Sequence, residues 1–542
     1  MLKKQAFLYL LLVLCGIGET EKNYLKLAIT SSEKNFYELS NKYLEQYIAS
    51  GKEEYIDYVY LLYGYNLIKL EKYEQAIEKF EIIIKKFPLS QYQKNAYLFL
   101  FPIYLKTNRI DSAINLYKEY REKFDIDENI EKQIGEKILQ KGIELFKNKN
   151  IQDAKKYFSL ITYQLKQKDL ILWANYYYGL CEYQEANFLN AKDYFEKVII
   201  SGKGDIVSDS KLKLGDCYFN IREYEMAEKY YNELLNENSI FSQWAKFQLA
   251  IIEKRKGEII KSLEILDSID FSNDLNLMFK VLDEKANIYI LLERWKEGEE
   301  ILNLLINKFP STKEIAEIYF KLGIVNFNKN EYDKSILFFK RAIELSQEDS
   351  IKEKSLFFIG YINYIKRDFN ESFKYWQDLI EKYPESSFIS QIYFLKGKKF
   401  YNENNQKQAE KFFKEVIKKD NFYKEQALTY LIEILIKEDK LSEAENYAKE
   451  FLEKKQDKYI NFLLGKIYYL KADYEKSKEI FENLNIDNPV FKVEKNFYLG
   501  KIYQKQKDIE KAKEKFIEII SLYPQYKEWK EKAEKSLKEL KK

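Results

Sequence analysis

Small and large apolar residues recur along this chain at fixed intervals. A small residue, which we call the anchor, is followed twelve positions later by a second small residue and, after four more, usually by a large apolar one, as in Gly64, Ala76 and Phe80. Five of the six prolines lie 24 positions after an anchor, as Pro88 does after Gly64. Small residues let two helices approach closely, and proline ends a helix. The spacing therefore predicts a tandem repeat of two helices, A and B, with the anchor on helix A.

The pattern covers nearly the whole chain and indicates fourteen repeats over about residues 21–525. Successive anchors are separated by 33 to 41 residues. One helical hairpin cannot bury its own apolar face, whereas a stack of hairpins can. We therefore predict an all-α solenoid in which the large residue at +16 fills the seam with the neighbouring repeat. The anchors are Ala28, Gly64, Phe101, Gly142, Gly179, Gly215, Ala250, Ala286, Gly323, Gly360, Gly397, Ile432, Gly465 and Gly500.

Two repeats depart from the pattern. Phe101 replaces the small anchor, Pro102 follows it inside helix A, and the gap to the next anchor is the longest. We interpret this as a kink. Ile432 also replaces a small anchor, but the residue at +16 is then the small Ala448, which indicates a size exchange within one repeat.

The chain has four predicted parts, and only the first departure marks a boundary between two of them. We expect N-terminal repeats over residues 19–125 and a main superhelix over 126–525. The lysine-rich residues 526–542 are expected to form a C-terminal cap helix with a polar outer face. Residues 1–18 are the remaining part, and we expect them to be a signal peptide.

The repeat resembles the tetratricopeptide repeat, a helix-turn-helix unit with the pattern aromatic-x2-Leu-Gly-x2-Tyr, Ala-x3-Phe and Pro. The resemblance implies a right-handed superhelix whose A helices line a concave groove, and in that family the groove binds peptides or partner helices. The residues that match the pattern include Tyr60, Tyr63, Gly64, Leu67, Ala76, Phe80 and Pro88, and again Leu499, Gly500, Tyr503, Ala512, Phe516 and Pro524.

The resemblance also indicates which side chains face the groove, namely those three before, one after and four after the anchor. In three successive repeats these positions form an aromatic ladder, which suits the apolar or aromatic anchors of a bound peptide. The alternative is that the rings only pack against the next helix. The candidate partner-binding residues are Phe320, Phe327, Phe357, Tyr361, Tyr364, Phe394 and Tyr401.

Composition argues against catalysis and against nucleic-acid binding. The chain has no histidine, which removes histidine-based nucleophile systems and metal sites. It also has no phosphate-binding loop. The 90 basic and 87 acidic residues nearly balance, so no basic surface for phosphates is indicated. We predict a protein that is not an enzyme and that uses no cofactor and no metal.

Two cysteines beyond the N-terminus lie at equivalent positions in adjacent repeats. Helices stacked in this way are separated by about 10 Å, whereas a disulfide needs Cα atoms within about 7 Å. Cys181 and Cys217 are therefore expected to be buried free thiols.

The N-terminus resembles an export signal. Lys3 and Lys4 precede an apolar run, and small residues follow at Gly16 and Gly18. The residues before Cys15 partly match a bacterial lipoprotein box, although a leucine stands where a small residue belongs. Two outcomes are open, lipidation of Cys15 with tethering to the outer membrane, or ordinary cleavage that removes Cys15.

The linkers Lys86–Ser90, Lys308–Ser311 and Lys382–Ser386 resemble repeat ends of bacterial envelope TPR proteins, such as the lipoprotein of the outer-membrane β-barrel assembly machinery and the periplasmic protein associated with Tol-Pal. This resemblance implies a periplasmic or membrane-tethered scaffold that binds protein partners during envelope assembly or secretion. The alternatives are a structural or regulatory subunit of a polysaccharide or pilus export apparatus, and a cytosolic adaptor. The oligomeric state stays open.

Overall fold

A computed structural model describes residues 19–124, 128–237, 239–419 and 422–540. These residues form 29 α-helices and no strand, which confirms the predicted all-α array of two-helix repeats. The odd-numbered helices up to α27 are the A helices, the even-numbered ones are the B helices, and α29 follows the last repeat. In chain order the helices are α1 Glu19–Glu33, α2 Tyr37–Ala49, α3 Ile56–Lys69, α4 Tyr73–Lys86, α5 Gln93–Lys106, α6 Ile110–Lys123, α7 Glu128–Lys147, α8 Ile151–Gln164, α9 Lys168–Gln184, α10 Phe188–Ser201, α11 Asp205–Asn220, α12 Tyr224–Leu234, α13 Ile240–Lys256, α14 Ile259–Asp267, α15 Leu275–Leu291, α16 Trp295–Lys308, α17 Ile315–Asn328, α18 Tyr332–Leu345, α19 Asp349–Ile365, α20 Phe369–Lys382, α21 Ile389–Asn402, α22 Gln406–Ile417, α23 Lys424–Lys437, α24 Leu441–Lys454, α25 Lys458–Leu470, α26 Tyr474–Asn483, α27 Pro489–Lys505, α28 Ile509–Leu522 and α29 Lys527–Glu539.

The chain divides into two compact units, Met1–Ile288 and Tyr289–Lys542. The boundary predicted between residues 125 and 126 stays a prediction, because residues 125–127 lie outside the described residues. Pro102 lies inside α5, and this helix continues to Lys106.

Each anchor glycine makes room for the aromatic ring at +16 of its own repeat. A Cβ atom added at Gly323 would lie 2.5 Å from the ring of Phe339, closer than any real contact allows. The same ring also stacks on the residue two positions before the next anchor, since the centroids of Phe339 and Phe358 are 5.3 Å apart with an interplanar angle of 12°. The ring at +16 therefore joins helix A to helix B and one repeat to the next. The same stacking pairs Phe80 with Phe99, Phe158 with Tyr177, Phe413 with Tyr430 and Phe481 with Tyr498.

Four of the five serines at +12 contribute a hydrogen bond as well as small size, and Ser372 is the exception, since its buried hydroxyl has no hydrogen-bond partner among the described residues. The Ser335 hydroxyl donates a hydrogen bond of 2.7 Å to the carbonyl of the anchor Gly323. The Ser477 hydroxyl donates in the same way to the carbonyl of Gly465 at 2.8 Å. Because the A helix carbonyl already serves its own helix, this bond uses its second lone pair and fixes the close contact of the two helices.

The turn from helix A to helix B is the same in all fourteen repeats. The residue at +7 has a left-handed backbone, with φ between 57° and 90°. Two hydrogen bonds close the turn, as when Asn330 donates to the Phe327 carbonyl at 2.9 Å and Glu331 donates to the Asn326 carbonyl at 2.8 Å. Only one of these residues is glycine, so the turn leaves no clear mark in the sequence. The residues at +7 are Asn35, Glu71, Asn108, Lys149, Ala186, Arg222, Gly257, Glu293, Asn330, Arg367, Asn404, Asp439, Ala472 and Lys507.

The prolines at +24 serve two purposes. Four of them follow the last residue of a B helix by two positions, as Pro384 follows Lys382. Pro489 differs from the expectation, because α26 already ends at Asn483 and Pro489 is the first residue of α27. Proline fits the first helical position, where its missing N–H would have no partner within the helix.

The two cysteines are as predicted. Cys181 and Cys217 are buried and free. Burial raises the pKa of each thiol to about 12, so both are protonated and unreactive at neutral pH.

Candidate functional site

Six half-buried side chains at the position after the anchor follow one another on successive A helices of the second unit. We call this surface the helix A stripe. Its first two residues are apolar or aromatic and the other four are charged, so the stripe presents two different chemistries along its length. It consists of Ile324, Tyr361, Lys398, Glu433, Lys466 and Lys501.

Two residues of the predicted aromatic ladder are buried. Phe357 and Phe394 are 4% and 5% exposed. The Phe357 ring stacks on Phe388, with centroids 4.4 Å apart, and the Phe394 ring stacks on Tyr423 at 5.0 Å. These covering residues stand immediately before the next A helix. Phe357 and Phe394 therefore belong to the packing between repeats, and the expectation that they face a partner is corrected.

The remaining −3 residue of the ladder is half-buried and also packs against the next repeat. The Phe320 ring lies 5.5 Å from Phe339 and 6.2 Å from Phe358. Phe320 therefore also takes part in the packing between repeats.

The three residues at +4 are half-buried and connect neighbouring A helices. The Phe327 ring lies 6.0 Å from that of Tyr361. The Tyr364 hydroxyl donates to the Leu395 carbonyl at 3.2 Å, and the Tyr401 hydroxyl donates to Glu433. Burial raises the pKa of the Tyr401 hydroxyl well above its ordinary value. Each of these three side chains therefore has a structural contact with the neighbouring repeat.

Tyr361 lies where the ladder and the helix A stripe meet. Its ring is nearly parallel to that of Phe357, with an angle of 8° and centroids 5.9 Å apart. Since Phe357 is buried beneath it, Tyr361 is a half-buried ring held in place by the core.

Three of the four charged residues of the stripe already have partners among neighbouring side chains. Glu433 accepts hydrogen bonds from Tyr401 and from Tyr459, the latter at 2.7 Å. Lys466 forms an ion pair of 2.6 Å with Glu494. Among the residues that the structure describes, no carboxylate pairs with Lys398, whose Nζ lies 5.7 Å from the centroid of the Phe394 ring. Lys398 is the member of the stripe best placed to bind an anionic group.

In one repeat of the first unit, the residue after the anchor is buried. Asp216, the residue after the anchor in α11, is 6% exposed. Its Oδ1 accepts from the Tyr231 hydroxyl at 2.8 Å and from Gln248 Nε2 at 3.1 Å, and Lys213 Nζ lies 3.4 Å from Oδ2. Burial raises the pKa of this carboxyl above its ordinary value. The network was missed from the sequence because its members come from three helices.

The predicted signal peptide and Cys15 lie outside the described residues. Within the described ranges, no three cysteine, aspartate or glutamate side chains are arranged to hold a metal ion. None of the helices described is both long enough and apolar enough to cross a membrane.

Comparison with known proteins finds a relative that is described as containing tetratricopeptide repeats. A TPR repeat-containing protein of Methanocaldococcus jannaschii is 26% identical in an alignment of 347 residues that covers 59% of this chain. The chain spans about half of that relative, since the match covers 56% of its length.

Solved structures that match this chain share little sequence with it. The C-terminal part of a TPR repeat-containing protein from Cytophaga hutchinsonii matches with a TM-score of 0.38 and 15% identity, over 46% of this chain and 96% of the other. The apo form of the quorum sensor NprR from B. thuringiensis matches with a TM-score of 0.34 and 15% identity, over 58% and 98%. Likenesses of this strength do not indicate what the chain binds.

Family models of the tetratricopeptide repeat match four separate segments of the chain. One model matches residues 58–90 and 496–526, and a second matches residues 208–239 and 316–349. The matched segments lie in both units and agree with the register of anchors described above. The chain therefore contains tetratricopeptide repeats in both of its units.

Proposed function

We propose that this protein is a non-catalytic scaffold that holds a peptide or helix of a protein partner along the helix A stripe. Tetratricopeptide repeat proteins are generally interaction scaffolds that bind protein partners. The observation that supports this site is that Tyr361 and Lys398 occupy the same position on successive A helices. Tyr361 is a half-buried ring that lies against the buried Phe357, and Lys398 has no carboxylate partner among the described residues.

The chemistry of the stripe favours one kind of partner sequence. A half-buried ring and the neighbouring Ile324 suit an aromatic or large apolar side chain. Lys398 suits a carboxylate displaced by one repeat from that side chain. We therefore propose a partner segment with an apolar anchor followed by an acidic residue.

Reversing the charge of Lys398 tests the site. Lys398→Glu is expected to weaken capture of the partner by about tenfold or more, because it places a carboxylate where the partner's carboxylate binds. Helicity should stay unchanged, since the Lys398 ammonium makes no ion pair with a described residue. Lys407→Glu is the matched control, because Lys407 is exposed and outside the stripe. It should leave capture unchanged.

Capture is measured with a photo-cross-linking amino acid in place of Tyr361 in the native host, followed by identification of the cross-linked peptide. The same amino acid in place of Leu337, which is 64% exposed on a B helix, reports non-specific contact. Equal yields from both positions, or a yield unaffected by Lys398→Glu, would contradict binding at the stripe.

We also propose that the protein acts in the cell envelope, in the periplasm or tethered to a membrane facing it, during outer-membrane assembly or secretion. This location rests on residues 1–18 and on the linker resemblance. The mass of the mature protein tests it. Loss of the N-terminal residues supports export, and a lipid mass that disappears in Cys15→Ser supports the tether. A full-length, unmodified cytosolic chain would contradict both.

A further inference from the structure

The residues at +8, +11 and +15 of a repeat lie on one side of helix B, which we call its leading face. This face contacts the preceding helix B. Lys440 at +8 pairs with Glu410 at 2.8 Å, and Glu443 at +11 pairs with Lys414 at 2.6 Å. At +15, the Tyr157 hydroxyl donates to a carboxylate of the preceding helix B at 2.9 Å. The leading face therefore joins a repeat to the one before it, here through polar side chains.

The first repeat has an apolar leading face. Its residues are Phe36, Leu39 and Tyr43. Phe36 is 60% exposed, Leu39 is 44% exposed and Tyr43 is half-buried. Leu27, directly before the anchor on α1, is also 44% exposed, whereas Leu322 at the same position of a later repeat is fully buried. The described residues thus leave an apolar surface open on the first repeat.

Phe36 departs from the pattern of the whole chain. The residue at +8 is polar or charged in the other thirteen repeats, from Lys72 to Asp508. It is the N-cap of helix B, where a polar side chain can accept from a helix N–H, as Asp368 accepts from the N–H of Glu371 at 3.2 Å. The Phe36 side chain makes no cap hydrogen bond. The loss of a cap together with an exposed ring indicates a contact beyond the described residues.

The chain supplies a segment with the right chemistry at the right distance. Residues Ala6–Leu14 are a run of apolar and aromatic residues. Four residues, 15–18, separate this run from α1, which begins at Glu19. Elsewhere in the chain, three to seven residues separate a B helix from the helix that follows it. The run therefore occupies the place in the sequence where a preceding B helix would lie.

The size of the open face favours an occupant from the same chain over a separate molecule. A stable complex of two proteins buries about 800 Å² on each partner. This face offers three side chains that are between 44% and 60% exposed, which is far less than that area. A segment tethered four residues away needs less contact, because its effective concentration at the face is high.

We propose that residues 6–14 of the uncleaved chain pack on the leading face of the first repeat, in place of a preceding helix B. Their apolar side chains cover Leu27, Phe36 and Leu39. Removal of residues 1–18 during export exposes the same face in the mature protein. The packing itself rests neither on binding at the helix A stripe nor on the location proposed above, since it concerns the chain before cleavage.

The test is photo-cross-linking of the full-length chain, made by cell-free synthesis without membranes so that no signal peptidase acts. A photo-reactive amino acid in place of Phe36 is expected to cross-link within the chain to residues 6–14, as located by mass spectrometry. The same amino acid in place of Leu337, which is 64% exposed on a B helix of the second unit, is the control. A yield at Phe36 no higher than at Leu337, or cross-links only between chains, would overturn the proposal.

A second variant separates packing from mere proximity of the tether. Leu39→Asp, combined with the photo-reactive amino acid at position 36, is expected to lower the yield by about fivefold or more, because it places a charge under the apolar run. Leu337→Asp is the matched change and should leave the yield unchanged. Circular dichroism should show equal helicity for both variants, since both leucines are exposed. A full yield with Leu39→Asp would show that residues 6–14 do not pack on this face.

Discussion

Gly360→Leu is expected to lower the free energy of unfolding by about 3 kcal/mol, the upper end of the usual cost of overpacking. A Cβ atom at this position would lie 2.4 Å from Cδ1 and Nε1 of Trp376. The indole is fully buried, and its Nε1 donates to the Phe357 carbonyl at 3.2 Å. It also packs on Tyr364, with ring centroids 5.6 Å apart. A leucine therefore displaces a ring that joins helix A to helix B and that also holds Tyr364 of the aromatic ladder.

Denaturant unfolding followed by circular dichroism measures this effect. Gly298→Ala is the control, because the nearest atom to its added Cβ lies 3.6 Å away, which is ordinary contact. In that helix interior, alanine is expected to be neutral or to stabilise by up to about 1 kcal/mol. If Gly360→Leu unfolds within about 0.5 kcal/mol of the natural chain, the anchor does not make the contact described here.

The arrangement of the helices could be predicted from spacing because the spacing directly reflects close contact. Gly360 and Ser372 are small since helices A and B touch there, and Trp376 is large since it fills the gap that they leave. These requirements recur in most repeats, so the register is visible in one sequence. Even the exchange of sizes at Ile432 and Ala448 follows this rule, and both residues are fully buried.

The candidate site could be predicted only in part, because exposure depends on residues that are distant in the pattern. Phe357 and Phe394 are covered by Phe388 and Tyr423, which stand just before the next A helix and outside the anchor, +12, +16 and +24 positions that define the pattern. The left-handed turn at +7 could not be predicted from the sequence for another reason. Its φ is imposed by the helices on either side, so residues as different as Ala186 and Arg367 adopt it.

One buried side chain contradicts the local pattern. Lys396 precedes the anchor, at the position where other repeats carry Leu322 or Leu431. It is 5% exposed, and its Nζ lies 4.9 Å from the centroid of the Phe373 ring and 5.7 Å from that of Phe412. Among the described parts of the chain it has no carboxylate partner. Burial lowers the pKa of this ammonium from 10.5 to about 8.

The lowered pKa means that Lys396 destabilises the protein at neutral pH. Below pH 8 the lysine is charged in both the folded and the unfolded chain, and the folded chain bears the cost of burying that charge. As the pH rises from about 8 to 10.5, the folded chain loses its proton first, and stability is regained. Lys396→Met keeps the shape without the charge, so we expect it to raise the free energy of unfolding by about 2 kcal/mol at pH 7.

Unfolding of both chains at pH 7 and at pH 10 tests this expectation. The advantage of Lys396→Met should shrink at pH 10, whereas the titration of other groups affects both chains alike. Lys399→Met is the control, because Lys399 lies over the same Phe373 ring but forms an ion pair of 2.8 Å with Glu403. It should bring no gain at either pH. A gain from Lys396→Met that does not change with pH would mean that better packing, and not the buried charge, accounts for it.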